Sequence, residues 1–510
     1  MKKTVLLVLM LLSGLLLIGC TNVRRDLGYK VLDVEDIKDL DLTISIKVRT
    51  GVVNNALETL VEDFHDYQVK EYGRKFITVD IMTISGSYDE LRSTTILDIN
   101  SKNEDNIPDL IMGYPDHFAE YYGGGNLVNL QAFMDDPKVG FTKEEMDDFI
   151  EGYMPENRGF DVDEKTGEPT NDYYGLPFNK STEVMVYNKT AFEALFGENY
   201  EEKIPTTWDE LRTVSEEIIN KVKAGALDEV FVESYDPDTG KTTYLKVSDY
   251  LNPSNLKFYP FGYDSSANAF ITLTRQFGGE YTKRQDVFTG TIHFDNAKSK
   301  AAMKYVQDMR KDGIFATAAV LGGQYNSDAI KLIQVLMSVG SSAGVGYNAS
   351  DKYPYELGFA PIPYYSEDAK YVIQQGTNIG MLNWNTDEEK LAAWLFIKFL
   401  MEPENTAQFA MDTGGYLPVR KSAYETDDYK EYLENPTIDK REFSAAANVA
   451  LNEYINKGFS FFVDPAFIGS SKVRNEVERV FDSIIVNLAD IDARYKEAYN
   501  ALAPYVPKDN

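Results

Sequence analysis

The chain has 510 residues and a formal net charge of −30, from 81 acidic against 51 basic side chains. Its average surface therefore repels nucleic acid and anionic lipid headgroups, and DNA or RNA is not an expected partner. A single cysteine excludes an internal disulfide and a thiolate metal cluster.

Lys2 and Lys3 precede an apolar run over residues 5–12, the length and polarity of a signal peptide, which predicts export. Leu17-Ile18-Gly19-Cys20 ends that stretch with small residues before the cysteine and resembles the lipobox of bacterial lipoproteins. It implies a signal peptide over 1–19 and a lipidated Cys20 on the extracytoplasmic face of the bacterial cell membrane. The competing reading is a short uncleaved membrane helix with an incidental cysteine. Residues 20–40 are polar, mixed in charge and without sustained period, as a tether would be.

From residue 42 to 48 apolar and polar residues alternate, the pattern of a half-buried strand. Residues 56–67 place Leu57, Leu60, Val61 and Phe64 at helical spacing, and 76–84 returns to alternation, so the order is β-α-β and the class α/β. A helix over 88–99 and a buried strand over 108–113 follow, the latter opening into Tyr114-Pro115-Asp116. In open α/β sheets ligands sit beyond such carboxyl ends. Gly123-Gly124-Gly125 lacks the Lys-Ser/Thr and the glycine spacing of a phosphate loop and reads as a turn.

Two polar, turn-rich stretches, 158–172 and 235–243, read as exposed hairpins. The second imitates a P-loop end at Gly240-Lys241-Thr242, but Tyr235 stands where the first glycine is required. Its carboxylates stop short of an EF-hand, leaving calcium a residual reading. Residues 297–311 and 388–409 are amphipathic and predict core-facing helices, as do 475–488 and 491–502. His65, His117 and His293 share no ligand spacing, no nucleophile elbow occurs, and neither a metal nor a cofactor is expected.

The segment Tyr174-Gly-Leu-Pro-Phe-Asn-Lys-Ser-Thr-Glu-Val-Met-Val-Tyr-Asn-Lys189, followed by Pro205-Thr-Thr-Trp-Asp-Glu-Leu211, resembles the extracellular solute-binding proteins that include the maltose and glycerol-phosphate receptors. The likeness continues through Gly358-Phe-Ala-Pro-Ile-Pro363, Gln375-Gly-Thr-Asn-Ile-Gly380 and Thr413-Gly-Gly-Tyr-Leu-Pro-Val419. It implies a two-lobed, periplasmic-binding-protein-like fold with hinge crossings near 179–181, 376–377 and 414–416. The N-lobe would comprise 40–179 plus 377–414, and the C-lobe 180–376 plus 415–506. Such a protein is a receptor and not an enzyme: it closes on a sugar, polyol or glycerol phosphate and hands it to an ABC transporter permease.

By the same resemblance Tyr88 and Asp116 contact ligand from the first lobe, Ser342 and Arg474 from the second, and Ser181, Gly376 and Tyr416 from the crossings. Tyr114 and Ser341 are secondary candidates. Arg474 carries the anion-binding expectation, since a guanidinium fork fits phosphate or carboxylate; pairing with Glu476 or Glu478 is the plain alternative. Two departures stand out: Pro115 occupies a position where the family has an acidic residue, leaving Asp116 to act, and residues 265–268 have no aromatic platform. The rival class is a lipid-anchored secreted glycoside hydrolase with a carboxylate pair about 5 to 9.5 Å apart.

Overall fold

The computed structural model describes residues 28–506, except 164, 167, 229–230, 237–240, 247–257, 324 and 350–354. The signal peptide, Cys20, the start of the tether and the tip of the 235–243 hairpin lie outside the described residues. No described helix is long and apolar enough to cross a membrane.

One sheet organises the molecule. Its strands follow the order Ile77–Ile84, Leu42–Arg49, Leu110–Gly113, Tyr371–Met381, Leu176–Asn188, Met337–Ser341, Phe261–Tyr263, Phe315–Thr317. The first three are mutually parallel, and Tyr371–Met381 and Leu176–Asn188 join antiparallel. Alternation in Leu42–Arg49 buries Ile44, Ile46 and Val48 completely. Lys47, on the other face, is buried too, its amine held by Asp98 at 2.9 Å and the Asn106 carbonyl at 3.0 Å. Helices thus cover both faces, the longest being Val52–Tyr72, which packs Leu57, Leu60, Val61 and Phe64 inward.

Two long strands explain how one sheet serves two cores. In Leu176–Asn188 all 13 residues are buried. Leu176 and Phe178 belong to the core built on the parallel strands, whereas Val184 to Tyr187 belong to a second core that includes Phe261, Phe315 and Val339. Between them runs Asn179-Lys180-Ser181-Thr182-Glu183, five buried polar residues. Tyr371–Met381 makes the same change in reverse, from Val372 and Ile373 to Ile379 and Met381 across Gln374-Gln375-Gly376-Thr377-Asn378. The two polar stretches pair, Gln374 with Thr182, Gln375 with Ser181 and Gly376 with Lys180, before the register breaks at Thr377/Asn378. Gly414 and Gly415, both at positive φ, lead to Leu417, whose N donates to the Lys180 carbonyl at 2.8 Å.

Two further features differ from the sequence expectation. The single helix over 388–409 is two, Asp387–Leu400 and Pro403–Thr413, because proline starts a helix readily and cannot continue one. The hairpin of Thr282–Arg284 and Gly290–Ile292 has no counterpart in the sequence reading. It reaches from the second core to the first, where Val287 is fully buried, Arg284 donates to the Gly159 carbonyl and covers the Phe160 ring at 5.3 Å.

Candidate functional site

A cleft of about 410 Å³ opens over the paired polar stretches, within the usual range of small-molecule sites, about 300–1,000 Å³. One wall comes from the carboxyl ends of parallel strands and the helices that follow them. Leu42–Arg49 ends on Arg49, Ile77–Ile84 leads to Ser87 and Tyr88, and Leu110–Gly113 leads to Tyr114, Pro115 and Asp116. Ser87 accepts from Glu90 N while Glu90 accepts from Ser87 N, a reciprocal cap that fixes Tyr88 at the start of its helix. Pro115, in the first turn of Pro115–Gly123, fits a position needing no N–H and sets Asp116 against the cleft.

The aromatic part of this wall is compact. Tyr88 and Tyr114 meet edge to face at 5.3 Å, and the Arg49 guanidinium lies 5.0 Å above the Tyr88 ring. Asn179 Nδ2 donates to the Tyr88 hydroxyl at 3.4 Å, linking wall to floor. Beside it, His117 Nε2 and Asp89 Oδ1 are 3.1 Å apart, and that bond, with Arg92 nearby, holds the Asp89 carboxyl below its ordinary range against the effect of burial.

The floor carries a buried ion pair. Lys180 Nζ contacts Glu156 Oε1 and donates to the Gly376 carbonyl at 3.1 Å, while Gln374 Nε2 donates to Glu156 Oε2 at 3.2 Å. Burial pulls the Lys180 amine below its usual range, with Glu156 opposing. Gly376 has φ +91°, and a Cβ there would stand 2.0 Å from the Asn179 carbonyl oxygen, so only glycine permits this approach.

The opposite wall is centred on Arg474, on the helix Ser470–Val486. Its Nη1 donates to Asp464 Oδ2 at 3.2 Å and its Nη2 to Asn268 Oδ1. Asn268 in turn donates to Glu183 Oε1 at 2.9 Å, and the Tyr263 hydroxyl donates to Glu183 Oε2 at 2.5 Å. Burial pushes the Glu183 carboxyl up to about 7 and that of Asp464 up to about 6, in each case against the pull of Arg474. Burial alone would lower the Arg474 guanidinium, but Asp464, Tyr281 and Asp116 outweigh it and raise it.

Of the residues expected from sequence, Tyr88, Asp116, Gly376 and Arg474 line the cleft, with Tyr114. Three stand behind it. Ser181 is buried in the crossing strand opposite Gln375. The Ser342 hydroxyl is fully buried, donating to the Gly415 carbonyl at 2.8 Å and accepting from Thr182 N at 3.3 Å, so it ties passing strands together. Tyr416 packs against the first core beside Tyr88 and Tyr114. Arg474 pairs with neither Glu476 nor Glu478; Glu476 engages Arg479 at 3.2 Å. The sequence reading missed Arg49, Asp89, Glu156, Gln374 and Asp464. Arg49 was findable as the last residue of a parallel strand, and Gln374 as part of a polar run inside an apolar strand; Glu156 and Asp464 lie in irregular segments without any local signal.

Residues 67–437 match the family model described as bacterial extracellular solute-binding protein. Among curated relatives, the sn-glycerol-3-phosphate-binding periplasmic protein UgpB of Escherichia coli O6:K15:H31 (strain 536) is 25% identical over 320 residues, 60% of this chain and 59% of that protein. The match thus spans less than two thirds of the relative's length. Among solved structures, UgpB from Mycobacterium tuberculosis in complex with glycerophosphocholine superposes with TM-score 0.65 at 17% identity, covering 91% of this chain and 98% of the other. Maltose-bound T. maritima MalE3 gives 0.64 at 18%, covering 90% and 99%. At these identities the likeness speaks for the fold, a mixed α/β one of two lobes.

Proposed function

Since the chain belongs to the bacterial extracellular solute-binding protein family, we propose that it is the solute receptor of an ABC importer, closing two lobes around a sugar, polyol or glycerophosphate ligand. The observation that carries this reading is the position of the cleft. It lies where two long strands each leave one apolar core for another, so a ligand bound there touches both halves and the segments that join them. Residues 40–179 plus 377–414 form one lobe and 180–376 plus 415–506 the other. Polar side chains at the crossings, rather than packed apolar ones, let the two cores turn as bodies about a narrow hinge.

Binding shifts an open population toward a closed one by adding contacts from the second wall, and closure is what the permease reads. Tyr88 and Asp116 act from the first lobe, Asp464 and Arg474 from the second, with Gly376 at the floor. The lipid on Cys20 keeps the receptor at the outer face of the membrane. The test is to purify the protein without refolding, release its cargo with denaturant, identify it by mass spectrometry and add it back. A fall in the radius of gyration by small-angle scattering is expected; a released compound that is chemically altered on return points instead to the hydrolase reading.

A further inference from the structure

The charge lining the cleft has a sign: Asp89, Asp116, Asp464 and Glu478 stand against two guanidiniums, Arg49 and Arg474, while Glu156 is paired with Lys180. Part of the cleft's donor capacity is spent on the protein: Arg474 gives one N–H to Asp464 and one to Asn268, the Gln374 amide gives one to Glu156, and the Ser471 hydroxyl donates to Glu120. Arg49, the other guanidinium, stands at the rim with Nε bonded to the Gly86 carbonyl and its face on Tyr88. Shielded acceptors remain as well. Asp464 Oδ1 and Gln375 Oε1 are buried and have no hydrogen-bond partner among the described residues. Among the described residues Asp116 has no lysine or arginine within 4.0 Å, its nearest basic group being the His117 imidazole with Nε2 4.0 Å away, and Glu478 adds a further carboxylate to the same wall.

A phosphate ester brings acceptors and negative charge to a surface of this kind, whereas a hydroxyl brings a donor. Resting on the receptor reading above, we propose that the cleft takes a neutral polyhydroxyl ligand whose hydroxyls donate to Asp464 and Gln375. Arg474 is then a positioning residue that holds Asp464, and not the grip for an anion. Both open oxygens are shielded from water in this conformation, so the two walls have to part for a ligand to reach them. The Arg474 fork is anchored to a carboxylate and an amide, and a phosphate drawn to its remaining N–H groups would approach the Asp464, Asp116 and Glu478 carboxylates at the same time.

The experiment is isothermal titration of the full chain in detergent with two sets of probes. The neutral set is glycerol, sorbitol, trehalose, sucrose, maltose and maltotriose; the anionic set is sn-glycerol 3-phosphate, glycerophosphocholine and inorganic phosphate. A neutral binder, not displaced by inorganic phosphate, is expected, with Asp464→Asn weakening it by about tenfold or more. Asp116→Asn, at a partly exposed position, is a second variant whose fold is not at stake, and its loss of affinity should be smaller. The pH profile distinguishes positioning from mere support. Asp464 faces Arg474, Asp116 and Tyr281, and its carboxyl sits near 6 with Arg474 holding it down, so affinity falls as it protonates. In Arg474→Ala that loss should begin at higher pH, whereas a purely structural role lowers affinity equally at every pH. Phosphate-ester binding with no neutral binder, abolished by Arg474→Ala or Arg49→Ala, overturns the inference and leaves the receptor reading intact. Failure of every probe counts against the receptor reading, and the inference falls with it.

Discussion

Replacing Glu183 with glutamine separates the charge of a buried carboxyl from its shape. In the folded protein Glu183 is sealed beneath the cleft, accepting from Asn268 and Tyr263, and burial pushes its pKa from 4.5 up to about 7. In the unfolded chain it titrates near its ordinary value. Between those two pH values the native state holds a proton that the unfolded state has lost, so stability declines as pH rises and levels off once the folded group ionises as well. A displacement of this size corresponds to about 3 kcal/mol at the upper plateau. Glutamine keeps an acceptor for Asn268 and can donate to the Tyr263 oxygen, and it has no proton to lose.

The assay is urea unfolding of wild type and Glu183→Gln at a series of pH values from about 5 to about 8.5. The variant's advantage should be small at the acid end and grow through neutrality toward about 3 kcal/mol. An advantage of constant size across the series, or a penalty at the alkaline end, would refute the argument, because it would mean that Glu183 carries its charge in the fold at no electrostatic expense. The same titration separates this carboxyl from Asp464, whose value near 6 places its own contribution lower on the pH axis.

Gly376→Ala should be strongly destabilising, because its φ of +91° suits glycine alone and the new methyl would strike the Asn179 carbonyl, which belongs to the opposite strand and cannot step aside; loss of more than about 3 kcal/mol by thermal or urea unfolding is expected, and a near-neutral variant contradicts it. Lys180→Met should cost about 3–5 kcal/mol by stranding the Glu156 charge in the floor, and adding Glu156→Gln should restore a large part of it. If the double variant is as unstable as the single one, the pair matters through packing and not through charge.

How much of this was legible beforehand depends on how local each signal is. Alternation in residues 42–48 and helical spacing in 56–67 report on a face that one element shows to the core, and both elements stand where the pattern placed them. The pattern also implied that Lys47 points to water; it does not, because a second layer of helices covers that face and Asp98 is there to meet it. Pro403 was visible as a helix breaker, yet the apolar spacing on either side of it masked the interruption. Residues 179–181 were read as a crossing through resemblance; that the polar run extends to Glu183, and its physical meaning, an apolar strand changing cores, emerge only when both cores are seen.

The site divides along the same line. Tyr88 and Asp116 were expected through resemblance, and strand position explains why they and Tyr114 share one wall, because the strands that lead to them both run parallel to Leu42–Arg49 between them. Arg474 shows where that reasoning stops. A guanidinium near a cleft has the shape to hold a phosphate, but whether it is free to do so is set by Asp464, ten residues earlier in an irregular segment, and by Asn268 on another helix. With 81 acidic residues in the chain, no spacing rule singles out the one carboxylate that the fold folds back onto it. Chemistry at this site is therefore decided by pairing, and pairing between irregular segments is a property of the whole fold.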